Sequence, residues 1–125
     1  MEKKEKKTEI NRFEDLEIWK DGMRICVKIY ELLKNCKDYG LKDQMQRAAV
    51  SIPSNISEGF ERQTNKEFVQ FLYIAKGSCG ELRTQLYLFK ELKFIENDDF
   101  KNIFSKLIQL SSMISNFIKT RKTNF

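Results

Sequence analysis

TNKEFVQFLYIAKGSCGELRTQLYLFKEL, residues 64–92, decides the class of fold. It opens on Thr64 with Glu67 three places on, a capping-box pattern in which hydroxyl and carboxylate satisfy each other's free backbone amides at a helix start. Apolar or small residues then recur at Phe68, Phe71, Ala75, Ser78, Leu82 and, past the polar Gln85, Phe89. That three-and-four spacing marks one face of a helix. Gly77 and Gly80 fall inside it, where each costs roughly 1 kcal/mol against alanine. With Ala75, Ser78 and Cys79 they form a run of small residues that predicts close approach by another helix.

The same spacing extends on both sides. Upstream, Leu16, Trp19, Met23, Cys26, Tyr30 and Leu33 predict a helix over about 14–36. Glu14, Asp15 and Glu17 crowd its start and Lys34 and Lys37 follow its end, the order a helix dipole favours. Tyr39-Gly40 supplies a turn, with Gly40 suited to a left-handed C-terminal position. A second helix, about 41–60, carries Leu41, Met45, Ala48, Ala49, Ile52 and Ile56. The only proline, Pro53, predicts a kink or break near Ala49 to Pro53, and Gly59 a stop. Downstream, Asn97-Asp98-Asp99 caps a helix over about 97–121 bearing Phe100, Ile103, Leu107, Leu110, Ile114, Phe117 and Arg121. No period-two alternation suggests a strand. Short turns between successive helices make neighbours antiparallel, so the expected fold is all-α, an up-down-up-down four-helix bundle over residues 13–121. A charged leader, 1–12, precedes it and a short basic tail, 122–125, follows.

Composition narrows the function. With 125 residues, 41% hydrophobic and 33% charged, the chain suits one ordinary globular domain. No apolar run reaches the roughly 18 residues a membrane span needs, and the lysine- and glutamate-rich start lacks the apolar core of a secretory signal. A cytoplasmic protein is expected. Cys26, Cys36 and Cys79 are widely spaced and unpaired by motif, and histidine is absent. Neither a metal site nor a Ser-His or Cys-His nucleophile is expected. Gly77-Ser78-Cys79-Gly80 lies inside a helix and is no nucleotide cradle. Glu58 and Glu81 form an acid/base pair only of the kind any highly charged helical chain yields by chance. No catalytic residue and no cofactor are assigned.

The net charge of +5 is unevenly placed. The excess sits in the two ends: Lys3, Lys4, Lys6, Lys7 and Arg12 against three glutamates in the leader, and Lys119, Arg121 and Lys122 at the other end. Residues 13–118 carry 15 basic and 15 acidic groups. Basic arms that touch phosphates are one reading of those ends, and solubilising charge is the other.

Helix two also carries a polar stripe, Gln44, Arg47, Ser51, Asn55 and Glu58, beside its apolar face, and helix three offers Ser78, Glu81 and Gln85. One reading is an interhelical network in which Arg47 pairs with Glu81 while Ser51 and Asn55 bond to backbone freed by Pro53. The other is a polar groove or subunit contact. Phe60, Tyr73, Tyr87 and Phe94 fall off the main stripes and are expected to be exposed. Ile18, Ile25, Ile29 and Ile74 also lie off-stripe, which predicts a second face buried by self-association.

In order, Phe13-Glu14-Asp15-Leu16 with Trp19, Tyr30, Gly40-Leu41, Gln44, Arg47-Ala48-Ala49, Ser51-Ile52, Asn55-Ile56-Ser57-Glu58-Gly59, Phe68, Phe71-Leu72, Ala75, Gly77-Ser78 and Glu81-Leu82 resemble the bacterial four-helix-bundle proteins of the 23S ribosomal RNA intervening-sequence family, over about residues 13–118. The resemblance implies a homopentameric ring with no established enzymatic activity. A similar protein, the accessory variability determinant of diversity-generating retroelements, implies nucleic-acid binding by a basic ring. Together these readings give a non-enzymatic, oligomeric protein that associates with RNA or a ribonucleoprotein through basic termini. The alternative is a protein-interaction scaffold with no nucleic-acid role.

Overall fold

In the computed structural model, which describes residues 10–125, a 3-10 turn (Phe13–Asp15) leads into four helices. These are α1 (Glu17–Leu32), α2 (Tyr39–Phe60), α3 (Asn65–Glu91) and α4 (Asn97–Asn124). No strand occurs among the described residues. Each end of the bundle shows how the helices run. Phe13, before α1, meets Phe60 at the end of α2, with ring centroids 6.5 Å apart. Phe60 meets Phe68 at the start of α3 at 5.8 Å, and Phe68 meets Phe117 near the end of α4 at 5.8 Å. At the opposite end Tyr87 of α3 stacks near Phe104 of α4 at 4.8 Å. Consecutive helices are therefore antiparallel, as short connections require. Across the diagonal, α1 and α3 do not meet, and α1 touches α4 only lightly.

Boundaries differ from expectation where capping decides them. Asp38 is the N-cap of α2, its carboxylate accepting from the Leu41 N–H at 3.1 Å. The helix therefore starts at Tyr39 and takes Gly40 into its first turn instead of leaving it in a left-handed cap. α1 ends at Leu32, tightened by a Lys34 N–H to Glu31 carbonyl bond. Thr64 and Glu67 form the expected box: the Glu67 N–H donates to Thr64 Oγ1 and the Thr64 N–H to Glu67 Oε1, both at 3.2 Å. α4 starts one residue after Glu96, with Asn97 already helical and no side-chain cap, and runs to Asn124. Lys122 is thus helical and not part of a separate tail.

Pro53 does not break α2, which continues to Phe60. The proline is buried, and Gly22 of α1 faces it: a Cβ at position 22 would lie 3.4 Å from Ile52 Cγ2 and 3.6 Å from the Pro53 ring. This close approach turns α1 so that Ile18, Gly22, Ile25 and Ile29 enter the core. The off-stripe isoleucines expected in an oligomer interface are therefore monomer core, Ile74 excepted. The expected α1 stripe holds only in part: Leu16 and Leu33 are buried, Trp19 and Cys26 flank the core, and Met23 and Tyr30 face solvent beside Val27. In α2, α3 and α4 the buried positions follow the expected faces closely from Leu41 to Ile114; beyond it Ile118 is buried and the expected Phe117 only half-buried. Phe60 packs on the core, whereas Tyr73, Tyr87 and Phe94 are exposed.

The small-residue run behaves differently at alternate positions. Ala75, Ser78 and Cys79 are buried where α2 packs most heavily on α3. Gly77 faces outward with nothing within 4 Å of a built Cβ. The close helix contact falls instead at Gly59, where an added Cβ would sit 2.6 Å from Phe71 Cβ and 3.0 Å from Phe68 Cδ1. Gly59 is a packing residue and not the stop it was expected to be, since α2 runs past it to Phe60. No described helix is long and apolar enough to cross a membrane.

Candidate nucleic-acid interface

Polar residues of α2 and α3 meet at one point only. The Ser51 and Ser78 hydroxyls share a hydrogen bond of 2.7 Å between helices. Asn55 Nδ2 donates to the Ser51 hydroxyl and to the Ser51 carbonyl, each at 2.8 Å. That carbonyl is not the one Pro53 deprives of a donor, which belongs to Ala49 four residues back; the expected bond to freed backbone is not made. Nor does Arg47 pair with Glu81. Its Nε donates to Asp43 Oδ2 on its own helix at 2.9 Å, and this partner raises its pKa further. A solvated partner four residues away spares both Arg47 and Glu81 the desolvation a buried pair would cost. Gln44, Glu58 and Glu81 are exposed. Of the eight polar residues, Ser51, Asn55 and Ser78 form a small structural network, Gln85 is buried with its Oε1 unpaired among the described residues, and the other four are separate surface groups.

The basic ends, in contrast, converge. Arg12 immediately precedes Phe13, which packs on Phe60 and Trp19. The chain of rings through Phe60, Phe68 and Phe117 carries this pole to the last turns of α4. There Asn65, the first residue of α3, holds Arg121: Arg121 Nε donates to Asn65 Oδ1 at 2.8 Å, and Asn65 Nδ2 donates to the Arg121 carbonyl at 3.1 Å. The guanidinium lies 4.9 Å from the Phe68 ring centre and 3.8 Å from that of Phe125. Burial among these groups lowers its pKa. Arg121 thus works as a clamp between α3 and α4, and Arg12 is drawn to Asp15 at 3.6 Å. Lys119 and Lys122 make no ion pair among the described residues. Lys3, Lys4, Lys6 and Lys7 lie outside the described residues, on the leader that joins the bundle beside Arg12.

Lys119 and Lys122 also line a cleft of about 430 Å³ between α3 and α4, together with Tyr73, Lys76, Ser115, Ile118 and Thr123. Sequence reasoning missed Tyr73 and Lys76 here. The signal was present in two separate faces: Tyr73 and Lys76 are three apart on α3, while Ser115, Lys119 and Lys122 are four and three apart on α4. Only the antiparallel pairing brings the two faces together. Elsewhere the described residues offer no group of three histidine, cysteine or carboxylate side chains able to hold a metal. Burial pushes the Cys79 thiol up to about 11, with Arg83 pulling weakly the other way. A thiol so raised is a packing group and a poor nucleophile.

Comparison with known proteins places this architecture. No curated protein matches the chain. The crystal structure of a protein with unknown function from the S23 ribosomal protein family, from Bacteroides thetaiotaomicron VPI-5482, is similar with a TM-score of 0.77. The likeness covers 82% of this chain and 99% of that one at 23% sequence identity, and so speaks for the fold. Residues 14–116, from the turn before α1 to about two turns short of the end of α4, match the family described as 23S rRNA-intervening sequence protein. A bundle built on these aromatic and small-residue positions, with its fold shared by an S23 protein, belongs to the 23S rRNA-intervening sequence protein family.

Proposed function

We propose that the chain is a non-enzymatic, cytoplasmic RNA-binding protein that works as a homo-oligomer, a pentameric ring by the family resemblance, and contacts RNA or a ribonucleoprotein with its basic pole. The observation that carries this reading is the meeting of the segment at Arg12–Phe13 and the last turns of α4 at one end of the bundle. A body balanced in charge, with Arg12, Lys119, Arg121 and Lys122 at one pole, directs that charge at a single partner surface. The family's description, tied to intervening sequences of 23S rRNA, favours RNA as that partner.

Two exposed apolar faces support assembly. α1 presents Met23, Val27 and Tyr30, and α3 presents Ile74, Tyr87 and Leu88 around the bare Gly77. Because α1 and α3 are diagonal and do not touch, the faces point away from each other. Unlike faces on opposite sides join head to tail, and such contacts close into a ring when the rotation allows. In a cyclic ring every basic pole points to the same side, so weak single contacts reinforce one another.

Fluorescence anisotropy with a structured rRNA fragment across a salt series tests the reading. Affinity should fall linearly with salt on logarithmic axes. Lys119→Gln with Lys122→Gln should flatten the slope by about two for each protomer engaged, at roughly 0.9 per phosphate contact. Charge is removed at the lysines because deleting the last residues would also remove the Arg121 clamp. Binding indifferent to salt and to these lysines would leave a protein-interaction scaffold in its place.

A further inference from the structure

The cleft between the start of α3 and the end of α4 has a make-up that a general phosphate-binding surface does not need. Lys76, Lys119 and Lys122 surround it, no carboxylate lines it, and the buried Ile118 forms an apolar floor. Its volume of about 430 Å³ falls in the range of small-ligand sites. One aromatic ring stands in it: Tyr73, 47% exposed. The Lys122 ammonium lies 3.5 Å from the Tyr73 hydroxyl and 5.7 Å from the ring centre. An atom near the phenol oxygen yet that far from the centre sits beyond the hydroxyl, at the ring's edge. About half of Tyr73 is exposed beside three cations.

We infer that this cleft takes one nucleotide of single-stranded RNA, its base stacked on Tyr73 and its flanking phosphates held by Lys76, Lys119 and Lys122. The inference rests on the RNA-binding reading and names the part of the RNA that is read. Duplex bases are stacked on each other and cannot reach a ring set between two helices, whereas an unpaired base can be splayed onto it. Base–aromatic stacking is indifferent to base identity, so the site is selective for single strands and tolerant of sequence. An acidic protein segment would satisfy the lysines but has no flat partner for the exposed Tyr73 ring.

The test uses the full chain with a fluorescent oligouridylate and a hairpin RNA of similar length. Tyr73→Leu should weaken oligouridylate binding roughly tenfold while leaving its salt slope and the hairpin affinity unchanged. Tyr73→Phe, which keeps the ring, should bind like the parent. Because Tyr73 is exposed, thermal melts of Tyr73→Leu should match the parent, which separates stacking from folding. If Tyr73→Leu binds oligouridylate as tightly as the parent while the Lys119→Gln/Lys122→Gln double variant is weakened, the RNA reading stands and this site falls. If neither RNA binds the parent, both fall. Polyglutamate binding that drops with Tyr73→Leu, with no loss of oligouridylate binding, would assign the cleft to acidic protein segments and overturn the proposal.

Discussion

At Lys93 the backbone takes a φ of 64°, the one positive value at a non-glycine residue among the described residues. It closes α3 by a pair of bonds, Phe94 N–H to the Phe89 carbonyl at 3.0 Å and Lys93 N–H to the Lys90 carbonyl at 2.9 Å. The Phe89 and Phe94 rings meet at 5.5 Å across the same turn. This is a Schellman ending with lysine where glycine is usual. Lys93→Gly should therefore stabilise the protein by about 1 kcal/mol, read as a higher urea midpoint at unchanged slope. Cys79 offers a second test. Its thiol is raised from 9.0 to about 11 by burial, so the folded chain keeps a proton that the unfolded chain gives up. Stability from this group is whole below pH 9 and drains as pH climbs towards 11. Urea midpoints at about pH 8 and about pH 10.5 should diverge more for the parent than for Cys79→Ala.

Among elements, the contact of α2 with α3 is the least forgiving. Gly59→Ala would place a methyl 2.6 Å from Phe71 Cβ, an atom fixed to a helix backbone that cannot swing away. A loss of about 1–3 kcal/mol is expected from such overpacking, measured by thermal or urea unfolding. Much at this scale was legible in the sequence: the number of helices, the Thr64–Glu67 box and the buried faces of α2, α3 and α4 all follow from three-and-four spacing. The α1 face was not. Two adjacent rows of α1 are apolar, and periodicity cannot choose between them; Gly22 against Pro53 does. That contact joins residues 31 apart in sequence. The ion pair expected for Arg47 failed for a related reason. Spacing shows that charges share a face but not whether water reaches it, and where water does, a neighbour on the same helix wins.

For the whole molecule, the proposed assembly turns on the exposed rows of α1 and α3. Val27, 54% exposed at the centre of the α1 row, gives a clean probe, because a charge there is solvated in the monomer and buried at the expected contact. Val27→Glu should reduce the assembly to monomers by light scattering while leaving helicity and melting of the monomer intact. The candidate site was half legible. Lys119 and Lys122 stood out as excess charge, but Tyr73 and Lys76 looked like ordinary surface residues until α3 and α4 were laid antiparallel. The position of the end of α4 at this pole has a practical corollary. A purification handle fused after Phe125 would crowd the very surface expected to meet RNA and mask or mimic binding. The connections at residues 33–38 and 92–96, at the far end, are the places to graft a label.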